Sequence, residues 1–294
     1  MNSPRDIGKT MLRVPGTLML RKRLGCIALL ILARASFAQI FAQTSIETEM
    51  NWEMGQLNVL ATGALGSEML PKTHPQALST LERGLAALLM KEIGSLPWDR
   101  FGRLNDYIER VPSSVDSVER LAESLNREWS RISEDRKSVE ALYTLNLTEL
   151  LPEFFPAAGK LGLPRAPVGW IPIPKDDWTG IVIYVPENTL LWGTGILSSP
   201  RPALYARILS DELSVLLDPA KSESSFLSYH TVENRNEIDS LVGRRPYRTM
   251  ARGLYGDFPC DIVLSEEDTK CILASDSGRE ALIRGKVVIL LDSF

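Results

Sequence analysis

The sequence predicts an α+β fold, with mixed or antiparallel sheets packed with amphipathic helices after an N-terminal signal peptide. Three observations carry this. Segments of period two, such as residues 56–63 (QLNVLATG), stand beside segments of helical period, such as residues 75–94. No regular strand–helix–strand alternation runs through the chain, which favours α+β over a doubly wound design. A basic run at residues 19–23, an apolar block at 24–33 and the small residues Ser36 and Ala38 either side of Phe37 follow one another in the order of an export signal.

The apolar block falls short of the roughly 20 residues that span a bilayer, so a cleaved signal over residues 1–38 is expected, with Ile40-Phe41-Ala42 a second cleavage position. Residues 1–18 form a doubtful upstream extension. Cys26 lies at the front of the block, the wrong end for a lipid-modified cysteine, and the mature chain is expected to carry no transmembrane span. Residues 1–38 hold seven of the 33 Lys+Arg and one of the 37 Asp+Glu; residues 39–294 therefore carry 26 against 36, a net charge of −10. That balance argues against a nucleic-acid partner, because neutralising phosphates takes clustered basic residues. The local exception, Arg244, Arg245, Arg248 and Arg252, reads as a solvated loop rather than an anion site. Cys260 and Cys271 remain after cleavage, and an oxidising compartment makes them a candidate disulfide; two unconnected small apolar residues are the alternative.

Residues 39–151 are expected to form an α+β domain. In it, 56–63 is a strand, and 75–94 is a helix opened by Pro75 and closed by Gly94, with Leu78, Leu81, Leu85, Leu88, Leu89 and Ile93 as its core stripe. Trp98, Phe101, Leu104 and Ile108 suggest a shorter helix. Ser113 or Ser114 then caps a longer one, whose apolar side runs through Val115, Val118, Leu121, Leu125, Trp129 and Ile132. Val139, Ala141, Tyr143, Leu145 and Leu147 alternate with polar neighbours as a half-buried strand. Residues 152–174 hold six prolines and three glycines and form the connection to a β-rich domain, 175–294.

The second domain is organised around residues 178–212. A buried-type strand at 180–185 leads through a Pro- and Gly-punctuated crossing to a second apolar segment at 204–209. Residues 221–237 read as loop, and 246–254 and 262–264 as short strands. Ser265 caps a small helix whose Glu266, Glu267 and Asp268 suit a positive N-terminal end. Residues 286–291 (KVVILL) close the chain as an apolar strand suited to a central sheet position.

No catalytic, cofactor or metal residues are expected. His74 and His230 lack a second ligand at metal spacing. Asp176 and Asp177 with Glu187 read as a surface turn rather than a calcium loop. Trp192-Gly193-Thr194-Gly195 lacks the third glycine of a dinucleotide loop. Ser228 lies two positions from His230 without a nucleophile elbow. A structure placing that pair and a carboxylate within hydrogen-bonding reach would overturn the non-enzyme reading. Trp170, Trp178, Tyr184 and Trp192 are the candidate ligand or partner surface.

Three ordered stretches resemble a family of exported bacterial envelope proteins that includes small outer-membrane lipoproteins and the flagellar assembly proteins T and P. Residues 59–93 are similar to its strand, Gly-containing turn and following helix. Thr179-Gly180-Ile181-Val182-Ile183, with Arg201-Pro202-Ala203-Leu204 and Arg207-Ile208-Leu209, resembles its T-G strand and its P-A-L and R-I-L elements. Within 243–292, Asp261-Ile262-Val263-Leu264-Ser265 and Gly285-Lys286-Val287-Val288-Ile289-Leu290 are similar to its last strands. Two features depart from the family: no anchor cysteine follows the signal, and residues 98–132 have no counterpart. The resemblance implies a non-enzymatic structural or assembly role in the periplasm or envelope, with envelope or flagellar-assembly proteins or further copies of the chain as partners. The alternative from the residues themselves is a soluble periplasmic module binding a small ligand or peptide near Trp178 and Trp192.

Overall fold

The computed structural model describes residues 44–67, 70–71, 73–155, 159, 161–164, 177–232 and 235–293. The expected export signal, Trp170, Asp176 and most of the Pro-rich connection lie outside them.

In chain order the first half contains β1 (Thr44–Asn51), β2 (Gln56–Ala64), β3 (Gly66–Ser67) and β4 (Leu70–Pro71), then α1 (His74–Ser95), β5 (Pro97–Asp99) and β6 (Gly102–Arg103). It continues with α2 (Leu104–Arg110), α3 (Val115–Glu123), β7 (Asn126–Ile132), β8 (Ser138–Asn146) and α4 (Leu150–Phe154). β1, β2, β8 and β7 form an antiparallel sheet in the order β1-β2-β8-β7. α1 lies on one face of it. Its start is fixed by Pro75 and by Gln76, whose Oε1 accepts the Thr73 N–H at 3.0 Å. Leu81, Leu85, Leu89 and Ile93 are buried against Leu57, Val59 and Ala61 of β2, each contributing about 1.5–3 kcal/mol by leaving water. Gly63 lets the helix come close, since a Cβ there would stand 3.1 Å from Leu81.

The second half contains β9 (Ile181–Val185), β10 (Thr189–Leu191), β11 (Ile196–Ser198), β12 (Ile208–Leu209), β13 (Val215–Leu217) and β14 (Ser228–Thr231). α5 (Arg235–Val242), β15 (Tyr247–Met250), β16 (Gly253–Tyr255), β17 (Asp261–Val263), α6 (Glu266–Ala274), α7 (Asp276–Arg284) and β18 (Val287–Leu291) follow. A mixed sheet runs β11-β10-β16-β17-β12-β13, and a second sheet runs β14-β18-β9-β15 with every neighbouring pair parallel. The closing strand therefore sits between β14 and β9, and the whole is α+β.

Four segments differ from the sequence expectation. The helix expected to run to Ile132 ends at Glu123, and Asn126–Ile132 is an edge strand paired with β8. Its polar content of Asn, Arg, Glu and Ser hides the alternation, and the tight turn that follows is set by Arg136 at φ 58°. Trp98 lies in the β5–β6 hairpin, with the helix starting only at Leu104. The expected loop at 221–237 contains β14, stabilised by parallel pairing with β18 that no local pattern announces. α7 arises between Ser275, whose Oγ accepts the Gly278 N–H at 3.3 Å, and Gly285 in the left-handed region.

The two halves share one hydrophobic core. Backbone hydrogen bonds cross between them: Tyr205 N–H to Trp98 O at 2.7 Å, Leu204 N–H to Pro97 O at 3.1 Å, and Phe258 N–H to Arg100 O at 2.9 Å. Trp98, fully buried, packs with Tyr107, Phe154 and Tyr205 at ring distances of 5.0, 5.2 and 5.9 Å.

Candidate functional site

The parallel sheet has two unlike faces. Ile181, Ile183 and Val185 with Val287, Ile289, Leu291 and Tyr229 point into the main core. The register puts Arg248, Val182, Val288 and Ser228 in one row of the other face, and Met250, Tyr184, Leu290 and His230 in the next. α5 covers this face through Ile238 and Val242, which form a separate cluster with Val182, Val288 and Leu290. Gly180 lets α5 sit so close: a Cβ there would lie 2.6 Å from that of Val242 and 2.7 Å from its carbonyl oxygen.

Towards the carboxyl ends of the strands the face is open. A concavity of about 490 Å³ is lined there by Val182, Tyr184, Val232, Arg248, Thr249, Leu290 and Asp292. The Tyr184 hydroxyl donates to Asp292 Oδ1 at 2.8 Å, and the Glu187 N–H donates to Oδ2 at 3.0 Å. That hydrogen bond, then local burial and the carboxylate charge, push the Tyr184 phenol above its ordinary pKa. Arg248 is exposed on the rim and makes no ion pair among the described residues. Carboxyl ends of parallel strands are where open sheets place ligands, since the flanking loops diverge there.

Beside this concavity, on the same face, Ser228 Oγ lies 2.8 Å from His230 Nε2, and Glu53 Oε1 lies 3.6 Å from His230 Nδ1. Glu53 comes from the turn between β1 and β2. The carboxylate is at ion-pair distance, just beyond hydrogen-bonding reach. Ser228 also donates to the Glu53 carbonyl oxygen at 2.6 Å, a contact that holds the hydroxyl proton away from the imidazole and pins the first half onto β14. Neither Ser228 nor His230 lines the concavities described here.

The expected aromatic surface is not a single groove. Trp178 packs on Tyr247 at 4.5 Å, near α7, and Tyr184 lies at the opposite end of β9. Trp192 follows β10 and lines another concavity of about 330 Å³ with Arg100, Phe101 and Tyr255. The hairpin of β10 and β11 borders two concavities: Leu190 and Leu197 line one with Met250, and Leu191 and Trp192 line the other with Phe101. Ile196 and Leu197 are 62% and 61% exposed, and β11 is an edge strand. The four arginines disperse, with Arg248 in the Tyr184 concavity and Arg252 in the one beside the hairpin.

Cys260 and Cys271 are both free thiols. Cys260 is buried near Tyr229 and Asp261, whereas Cys271 lies beside Tyr247 on α6, so the candidate disulfide is not formed. Among the described residues no group of His, Cys, Asp and Glu is placed to hold a metal ion, and no helix is long and apolar enough to cross a membrane. Asp292, Glu53 and Val232 were not singled out by the sequence. Of these only Asp292 carries a local signal, a carboxylate directly after a wholly apolar strand.

Residues 43–153 match the family model described as Treponema pallidum Tp0624, N-terminal domain, and residues 180–293 match the one described as Treponema pallidum Tp0624, second domain. No curated protein matches the chain.

Proposed function

We propose, from two consecutive segments similar to the first and second domains of one treponemal protein, that this chain is a non-enzymatic exported protein of the cell envelope that docks to an assembly through its own surface. The observation that carries the reading is the β10–β11 hairpin. A three-residue edge strand whose Ile196 and Leu197 are 62% and 61% exposed, flanked by Trp192 and Phe101, has the character of a protein-docking element. The shared core between the halves supports it, because a rigid body presents such a surface at little ordering cost. The link to the outer membrane or the flagellar basal body rests on the sequence resemblance alone.

Fractionation of the native cells, with mass spectrometry of the N-terminus and of co-purifying proteins, tests this reading. A chain starting at Gln39 or Gln43 in the envelope fraction, whose partners are lost on Leu197→Glu, is the expected result. A full-length cytoplasmic chain sinks it.

A second reading, a serine hydrolase, rests on the 2.8 Å Ser228–His230 contact alone, since the Glu53 carboxylate stands beyond hydrogen-bonding reach. Labelling with a fluorophosphonate probe separates the two. Modification of Ser228 that disappears in His230→Gln supports hydrolysis, and an unmodified Ser228 removes the hydrolase reading.

A further inference from the structure

We propose that the open carboxyl edge of the parallel sheet binds a short peptide of two or three residues, with both termini free and aliphatic side chains. The site is distinct from the docking hairpin and does not depend on the docking reading.

Each part of the ligand has a counterpart. Val232, 45% exposed, is an apolar wall, over a floor of Val182 and Leu290 that is already largely packed against Ile238 and Val242. Such surface gains by covering aliphatic groups and offers nothing to a wholly polar ligand. Arg248, without an ion-pair partner among the described residues, presents a planar guanidinium that holds a carboxylate by two parallel hydrogen bonds. Asp292 supplies the opposite charge. Its two oxygens each accept one hydrogen bond, from Tyr184 and from the Glu187 N–H, which fixes the carboxylate in place and leaves lone pairs for an ammonium group. A carboxylate only accepts, so its complement is a donor of positive charge.

Spacing selects a peptide over a single amino acid. Arg248 is level with Val182, while Leu291 is level with Val185, so Asp292 stands four strand positions further along. At about 3.3 Å per position this is about 13 Å along the strands. Arg248 on β15 and Asp292 at the end of β18 also stand on either side of β9, about 10 Å apart across the sheet, which puts their Cα atoms on the order of 16 Å apart. With both side chains reaching inward, this leaves room for the two ends of a short peptide and exceeds the separation of ammonium and carboxylate on one carbon. The volume of about 490 Å³ falls within the range of small-molecule sites.

Calorimetry with the purified chain and the probes Val-Val, Leu-Val and Val-Val-Val, each also N-acetylated or C-amidated, tests the assignment. At least one free peptide is expected to bind, and blocking either end to weaken binding by about tenfold or more. Arg248→Gln should abolish the effect of amidation while keeping that of acetylation, and Asp292→Asn should do the reverse. These exposed positions leave the core untouched, and unchanged thermal unfolding of each variant confirms it. Absence of binding by all three peptides at about 10 mM, equal binding of blocked and free forms, or free valine binding as tightly as the peptides each overturns the proposal.

Discussion

Arg207 grips the Asp261 carboxylate three times: its backbone N–H reaches Oδ1 at 2.9 Å, and its Nε and a terminal guanidinium nitrogen reach Oδ2 at 3.2 and 2.6 Å. Asp261 is fully buried at the start of β17, and Arg100 from the first half stands 3.8 Å from the same oxygen. Burial pushes the carboxyl above its ordinary pKa, against the opposing pull of Arg207 and Arg100. Asp261→Ala removes the acceptor of all three bonds and leaves the Arg207 guanidinium and backbone N–H unpaired in a largely dry site. Urea unfolding should show a loss of about 3–5 kcal/mol.

Trp98 ties the halves together, since its ring meets Tyr205 and its carbonyl accepts the Tyr205 N–H. Trp98→Ala removes the centre of the aromatic cluster, with an expected loss of about 3–5 kcal/mol. Calorimetric scans should show one transition for the parent chain. Two transitions in the variant would mean that the halves hold their own cores once this contact is gone.

Gly180→Ala places a methyl group against the Val242 backbone. Neither the strand nor the helix backbone yields cheaply, so α5 must shift off the sheet, a destabilisation of about 1–3 kcal/mol. Hydrogen exchange should localise the loosening to residues 238–242. Uniform exchange across the second half would contradict this.

Tyr143, 3% exposed, has its phenol pushed up to about 12 by burial and by Glu82, whose carboxylate accepts its hydrogen bond at 3.3 Å. The folded value exceeds the unfolded one of about 10. Its contribution is therefore complete below about pH 10 and is lost as pH rises towards about 12. Tyr143→Phe should flatten the stability profile across that alkaline window, at the expense of about 1 kcal/mol or less near neutrality from the missing hydrogen bond.

Burial pushes the Cys260 thiol well above its ordinary value, while Cys271 is half-buried on α6. A thiol reagent should label Cys271 in the native protein and Cys260 only after unfolding. Identical migration with and without reductant is expected; a reductant-dependent shift would show that the pair forms after all.

Strong local patterns were legible in the sequence. The α1 stripe, the alternation of β2 and β8, the Ser265 cap and the closing strand all follow from side-chain period or capping chemistry within a dozen residues. Two of the errors share one cause. β7 and β14 are strands only because a partner strand supplies their hydrogen bonds, and their own residues are too polar or too few to declare it. The candidate sites follow suit: Tyr184 was marked by its aromatic ring, but its partner Asp292 is 108 positions away, and Glu53 and Ser228 are 175 apart.

The sequence by itself determined the α+β class and most of its elements, because propensity, period and capping act locally. Tertiary structure alone decided that four strands run parallel, that both halves share a core, and that Arg248, Tyr184 and Asp292 border one concavity. Those outcomes depend on strand order and register, which are set by long-range burial and hydrogen bonding that no local stretch encodes.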